Sequence, residues 1–211
     1  MQQPNADAKE SPGFSRGENV KELAGRTAYK SEDKITDFSA AGFVKKILDR
    51  NHTAVIEFGE AAVRFVTDRG VSHEALRHRI ASYVMESTRY CNYGKEKFGR
   101  EIMVVEPPGL DEEQRAAWIR AVATCETEYL RLIDLGQSPQ IARSVLPTCL
   151  KTEFVMKTNF RSWRNFFSLR CAPSAHPQMQ QLAKLALAIL HDVAPTVFKD
   201  QWDQFMLEAA R

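Results

Sequence analysis

The chain has 211 residues, 44% hydrophobic and 27% charged, which suits one domain with a sizeable core. Its net charge of +2 argues against a nucleic-acid partner held by bulk charge, so an anion site has to come from local clustering. No apolar run approaches a membrane span and no signal-peptide pattern opens the chain, while Cys91, Cys125, Cys149 and Cys171 lie scattered without a CxxC pair; no membrane anchor, metal site or disulfide framework is expected, and a reducing cytoplasm fits.

Residues 1–20 are rich in Gln, Pro, Asn, Asp, Glu, Ser and Gly and can bury little apolar surface. They predict a flexible N-terminal arm, with an added strand or a clasp on a neighbouring subunit left open; residues 21–211 make the single domain. Ser31 to Thr36 reads as a turn before a helix over 37–49, which carries Phe38, Ala41, Val44, Ile47 and Leu48 as its apolar stripe. A loop at Asn51-His52-Thr53 leads to a strand over 61–67, with Val63, Phe65 and Thr67 on one face.

Asp68-Arg69-Gly70 breaks that strand. Ser72 is a good N-cap for a helix with Glu74 in its first turn, which would turn Leu76 and Ile80 inward and end in Arg77-His78-Arg79. Residues 84–93 read as irregular, and 98–105 as a second strand stopped by Pro107-Pro108. Asp111 caps a long helix to Leu135, with Trp118, Val122, Cys125, Tyr129 and Leu132 at helical spacing and Gly136 at its C-terminal stop.

Ser138-Pro139 opens a helix to Leu146. Residues 151–159 alternate as a third strand, and 161–170 and 177–193 are helical. The expected fold class is α+β, an antiparallel sheet flanked by helices.

The chemistry-bearing stretch is 77–90, where Arg77, Arg79 and Arg89 stand with a histidine and several hydroxyls. Guanidinium forks grip phosphate or carboxylate oxygens in pairs, although an arginine-rich solvated helix face reads the same way. Neither GxGxxG nor a P-loop is present, so a nucleotide has to be held by side chains and helix ends.

Two motifs in order add to this. The first is Arg77-His78-Arg79, seven residues, Ser87, then Arg89-Tyr90, preceded by Phe65 to Glu74. The second is Ala142 to Pro147, then Asn159-Phe160-Arg161-Ser162 running on to Asn165 and Leu169-Arg170. Together they resemble the flavin-dependent thymidylate synthases from about Gly25 to Phe198.

That resemblance implies a homotetramer with active sites at subunit interfaces. It implies FAD reduced by NADPH, methylenetetrahydrofolate as one-carbon donor, and dUMP converted to dTMP. By the same resemblance Arg77, His78 and Arg79 hold flavin, with His52, Glu57, Asn159, Arg161 and Asn165 at further flavin-holding positions. Ala54 and Met85 occupy two more cofactor positions, and Glu74, Arg77, Glu86, Ser87, Thr88, Arg89, Arg143 and Arg170 line the dUMP pocket.

Arg170 is the catalytic candidate, since the resemblance implies that it lies against the uracil ring, where a guanidinium stabilises negative charge spread from N3. No metal ligand set is expected, and Trp163, Phe166 and Phe167 read as core or subunit contact. The chain departs from the family pattern at Val84-Met85, where a polar pair is usual, at Ala54 in place of a hydroxyl residue, at Thr88 in place of a smaller one, and at Glu74 where many relatives have Gln. A flavoenzyme that alkylates dUMP differently, and a non-catalytic nucleotide- or nucleic-acid-binding homologue, are the rival expectations.

Overall fold

Alternation over residues 151–159 buries Thr152, Phe154, Met156 and Thr158 and leaves Val155 and Lys157 outside, the signature of a strand with one face on a core. The computed structural model describes residues 5–8 and 17–207. Its sheet has four antiparallel strands in the order β1-β2-β4-β3, namely β1 (Asn5–Ala8), β2 (Glu60–Asp68), β3 (Ser82–Met85) and β4 (Lys151–Asn159). The α+β expectation therefore stands. Of the arm expected over 1–20, residues 5–8 pair with β2 as β1 and residues 17–20 open a helix; residues 1–4 and 9–16 lie outside the described residues.

Eight helices are described: α1 (Gly17–Tyr29), α2 (Ser39–Asp49), α3 (Arg69–Ala75), α4 (Glu112–Asp134), α5 (Pro139–Ala142), α6 (Phe160–Arg170), α7 (Pro177–Val193) and α8 (Pro195–Trp202). The main core sits between the inner sheet face and α6, α7 and α8. Phe65 stacks on Phe154 at 4.8 Å between ring centroids, and Trp163, Phe166 and Phe167 are fully buried above them. The aromatic trio of α6 is thus core. A second cluster packs α4 through Tyr129 against Tyr93, Ile102, Val104 and Leu150.

Several expectations are corrected. Helix α3 starts at Arg69, capped by Asp68, whose carboxylate accepts from the Val71 N–H at 2.7 Å. Asp68 already stands extended at the end of β2, so it caps first and Ser72 falls inside the helix, where its hydroxyl donates to the Arg69 carbonyl. The helix then ends at Ala75, so Leu76 and Ile80 face solvent rather than the core.

Residues 82–85 are a strand, which takes Val84 and Met85 out of the stretch expected to be irregular, because β4 offers an open edge that local propensity does not reveal. Residues 98–105 make only one bridge, Val104 to Leu150; Gly99 and Arg100 both adopt left-handed φ and break the extension. The helix from Pro139 tightens to a 3-10 turn at Arg143–Val145. The chain beyond Val193, given no element above, forms α8 and a π turn at Asp203–Leu207.

Candidate active site

Two helix ends meet at the centre of the site. Helix α3 stops at Ala75 and the chain turns there, with the His78 N–H donating to the Ala75 carbonyl at 3.1 Å. Tyr83 on β3 staples the turn, its hydroxyl lying 2.8 Å from the Ala75 carbonyl and 2.9 Å from that of His78. Burial pushes the Tyr83 phenol up to about 12, so it stays a donor.

Helix α6 approaches from the other side. Asn159 caps its start by accepting from the Ser162 N–H at 2.8 Å, and its last residue, Arg170, reaches the turn. There Arg170 Nε donates to His78 Nε2, Nη1 to Glu74 Oε2 and Nη2 to the Glu74 carbonyl, each at 3.0 Å.

His78 lies edge-on to Phe166 at 4.9 Å. Burial first, and then the Arg170 charge, pushes its imidazole down to about 4. The ring is therefore neutral at pH 7, and because Nε2 accepts, Nδ1 carries the proton.

A second group follows β3. Thr88 is buried and its hydroxyl accepts from Arg143 Nη1 at 3.4 Å, while the Ser87 hydroxyl accepts from the Arg89 N–H at 3.3 Å. The Arg89 guanidinium lies over the Tyr90 ring. Glu86 is engaged elsewhere, accepting from the Tyr93 hydroxyl at 2.9 Å and from Lys151 at 3.4 Å. Burial first, with Glu86 next, pushes the Tyr93 phenol up. Met85 packs against the core with the Ser72 hydroxyl 3.9 Å from its sulfur, and Val84 faces solvent.

A third group lies at the far end of α6. Arg161 pairs with Glu57 at 2.6 Å, and the His52 ring sits 3.2 Å from the Tyr29 hydroxyl; Ala54 and Asn165 are exposed. Among the described residues the exposed Arg77 and Arg79 guanidiniums make no ion pair. The structure thus joins Glu74, His78 and Arg170 directly, joins Thr88 to Arg143, and joins Glu57 to Arg161. No hydrogen bond or ion pair links these three groups among the described residues.

Tyr83 and Phe166 were not singled out as site residues by sequence reasoning. The only available signal was the alternation that places Tyr83 and Met85 on the core side of β3. A cleft of about 340 Å³ opens beside Glu74, walled by Asp68, Trp118, Cys149, His176 and Gln178 among others.

Residues 14–196 match the family model described as thymidylate synthase complementing protein. The curated flavin-dependent thymidylate synthase of Mycobacterium avium (strain 104) is 33% identical over 205 residues, covering 87% of this chain and 79% of the relative. That of Geobacter sulfurreducens is 33% identical over 190 residues, covering 84% and 79%. Among solved structures, the UMP/dUMP methylase PolB from Streptomyces cacaoi bound with 5-Br dUMP superposes with a TM-score of 0.77 at 21% identity, over 97% of this chain and 98% of that one, which speaks to a shared fold.

Proposed function

The chain belongs to the thymidylate synthase complementing protein family, and from that premise we propose that it carries out the reductive methylation of dUMP to dTMP, with FAD bound and with NADPH and methylenetetrahydrofolate as co-substrates. The observation that carries the reading is the Arg170 fork, fixed by three protein acceptors at the meeting point of two helix ends. A preorganised guanidinium of this kind stabilises negative charge that develops on a pyrimidine ring and raises the nucleophilicity of C5.

The residues present fit a flavin. Arg77 and Arg79 present exposed guanidiniums that no carboxylate among the described residues neutralises, as an anionic cofactor requires. When bound, the flavin supplies the reducing equivalents. Arg77 and Arg79 would hold it together with Asn159, Arg161 and Asn165; Asn159 Oδ1 caps α6, which leaves its side-chain N–H₂ for a ligand. Arg89 and Arg143, with the Ser87 hydroxyl, supply donors for the nucleotide phosphate.

Self-assembly into a tetramer with sites at subunit interfaces goes with this reading. Ile80 and Val84 are each 76% exposed and Tyr90 is 78% exposed around the site, a set of apolar side chains that a second copy would cover. Four free thiols fit a reducing cytoplasm. A related reading, a pyrimidine-modifying flavoenzyme with a different product, is favoured by Val84 and Met85, which place no polar side chain on that strand end.

The test is the absorbance spectrum of purified protein loaded with FAD, followed by product analysis. A flavin band that bleaches with NADPH when dUMP is present, with dTMP formed from methylenetetrahydrofolate, is expected. A product other than dTMP moves the assignment to the related reading, and a protein that takes up no FAD overturns both.

A further inference from the structure

We propose that Glu74 is a positioning and specificity-determining residue, which aims the Arg170 fork and balances its charge so that the fork meets the base of the nucleotide and not its phosphate. This rests on the reading of Arg170 as the group that faces the pyrimidine. A guanidinium carries five N–H donors on a flexible stem, and without fixed acceptors its plane is free to turn.

Here Glu74 contributes two of the three acceptors that fix it: Oε2 for Nη1 and the main-chain carbonyl for Nη2. His78 Nε2 supplies the third, for Nε. One N–H on each Nη is left for a ligand. Glu74 and Arg170 sit in the last turns of α3 and α6, and the Glu74 carbonyl, which otherwise accepts from the Arg77 N–H at 3.3 Å, takes Arg170 Nη2 as a second donor, so Arg170 also caps α3 from outside.

Ion pairing separates the arginines. Arg170 is paired with a carboxylate, whereas the guanidiniums of Arg77, Arg79, Arg89 and Arg143 are in no ion pair among the described residues. An Arg170–Glu74 unit with little net charge donates hydrogen bonds to a neutral carbonyl oxygen. Its carboxylate repels a phosphate dianion. The dianion is then left to the unpaired arginines, which fixes which end of the nucleotide lies at Arg170.

The closing experiment uses full-length protein labelled with ¹⁵N-arginine, unliganded, in wild type, Glu74→Ala and Glu74→Gln. Arg170 is expected to give an exchange-protected Nη1–H resonance, from the N–H donated to Glu74 Oε2, identified by its loss in Arg170→Lys. Glu74→Ala should lose that protection and lower kcat about tenfold to a hundredfold with KM for dUMP changed less than about threefold. Glu74→Gln, which keeps an acceptor at the same reach, should recover the protected resonance. Inorganic phosphate should shift the Arg170 resonance in Glu74→Gln and leave it in place in wild type.

An Arg170 resonance equally protected in Glu74→Ala, or one that phosphate shifts as much in wild type as in Glu74→Gln, overturns the proposal. A wild type that turns over no dUMP while its resonances behave as expected overturns the proposed function and leaves the role of Glu74 standing.

Discussion

His78 acts as a hydrogen-bond acceptor because it is kept uncharged. Its imidazole is pushed from 6.5 down to about 4, chiefly by burial against Phe166 and secondarily by the Arg170 charge. Protonation removes the lone pair that receives Arg170 Nε–H. As pH falls the unfolded chain takes up this proton first, so the stability linked to His78 is fully present above about 6.5 and is lost between 6.5 and 4. Wild type should lose more stability than His78→Gln between neutral pH and about pH 4.5, by about 1 kcal/mol once solvent screening of the half-buried ring is allowed for, read from denaturant melts at each pH. Equal losses in the two proteins would mean that the imidazole is not buried neutral. At this scale the residue types were legible: Arg77, His78, Arg79 and Arg170 stand out by chemistry and motif. Which nitrogen accepts, and that Glu74 holds Arg170, were not, because those facts join residues 92 and 96 positions apart.

At the scale of elements, caps set where side chains emerge. Asn159 closes β4 and opens α6 with one hydrogen bond from the Ser162 N–H, and that start point fixes the phase at which Arg161, Asn165 and Arg170 leave the helix. Asn159→Ala should cost about 1 kcal/mol in chemical denaturation, and Asn159→Asp, which retains the acceptor, much less. If Asn159 also binds flavin through its amide N–H₂, Asn159→Asp should keep stability but weaken FAD binding in a fluorescence titration. Equal FAD affinity in that variant would confine Asn159 to capping. Long elements with clean periodicity were read well, among them α4 with its Asp111–Gln114 capping box, α7, and β4. Short ones were misread. Asp68 and Ser72 are both good caps by type, and β3 is four residues whose strand character comes from pairing with β4.

For the whole molecule, the question is whether one chain completes a site. The Glu74–His78–Arg170 group and the Thr88–Arg143 group are each built within the chain, and no described hydrogen bond or ion pair joins them. If sites form between copies, Arg170→Ala and Arg89→Ala proteins, each nearly inactive, should regain a substantial share of dUMP turnover when unfolded together and refolded as a mixture. A mixture no more active than its components would place every group of a site in one chain. The oligomeric state itself is read by light scattering.

The sequence by itself determined the fold class, the inward faces of β2 and β4, the two arginine-bearing segments and the family. Each of these rests on residue type and on spacing within one segment, which chain order preserves. Only the tertiary structure decided that α3 is capped by Asp68, that 82–85 joins the sheet, that Glu86 is committed to Tyr93 and Lys151, and that Glu74 and His78 aim Arg170. Those outcomes depend on which helix end meets which strand edge once the core has packed, and a one-dimensional pattern carries no record of that meeting.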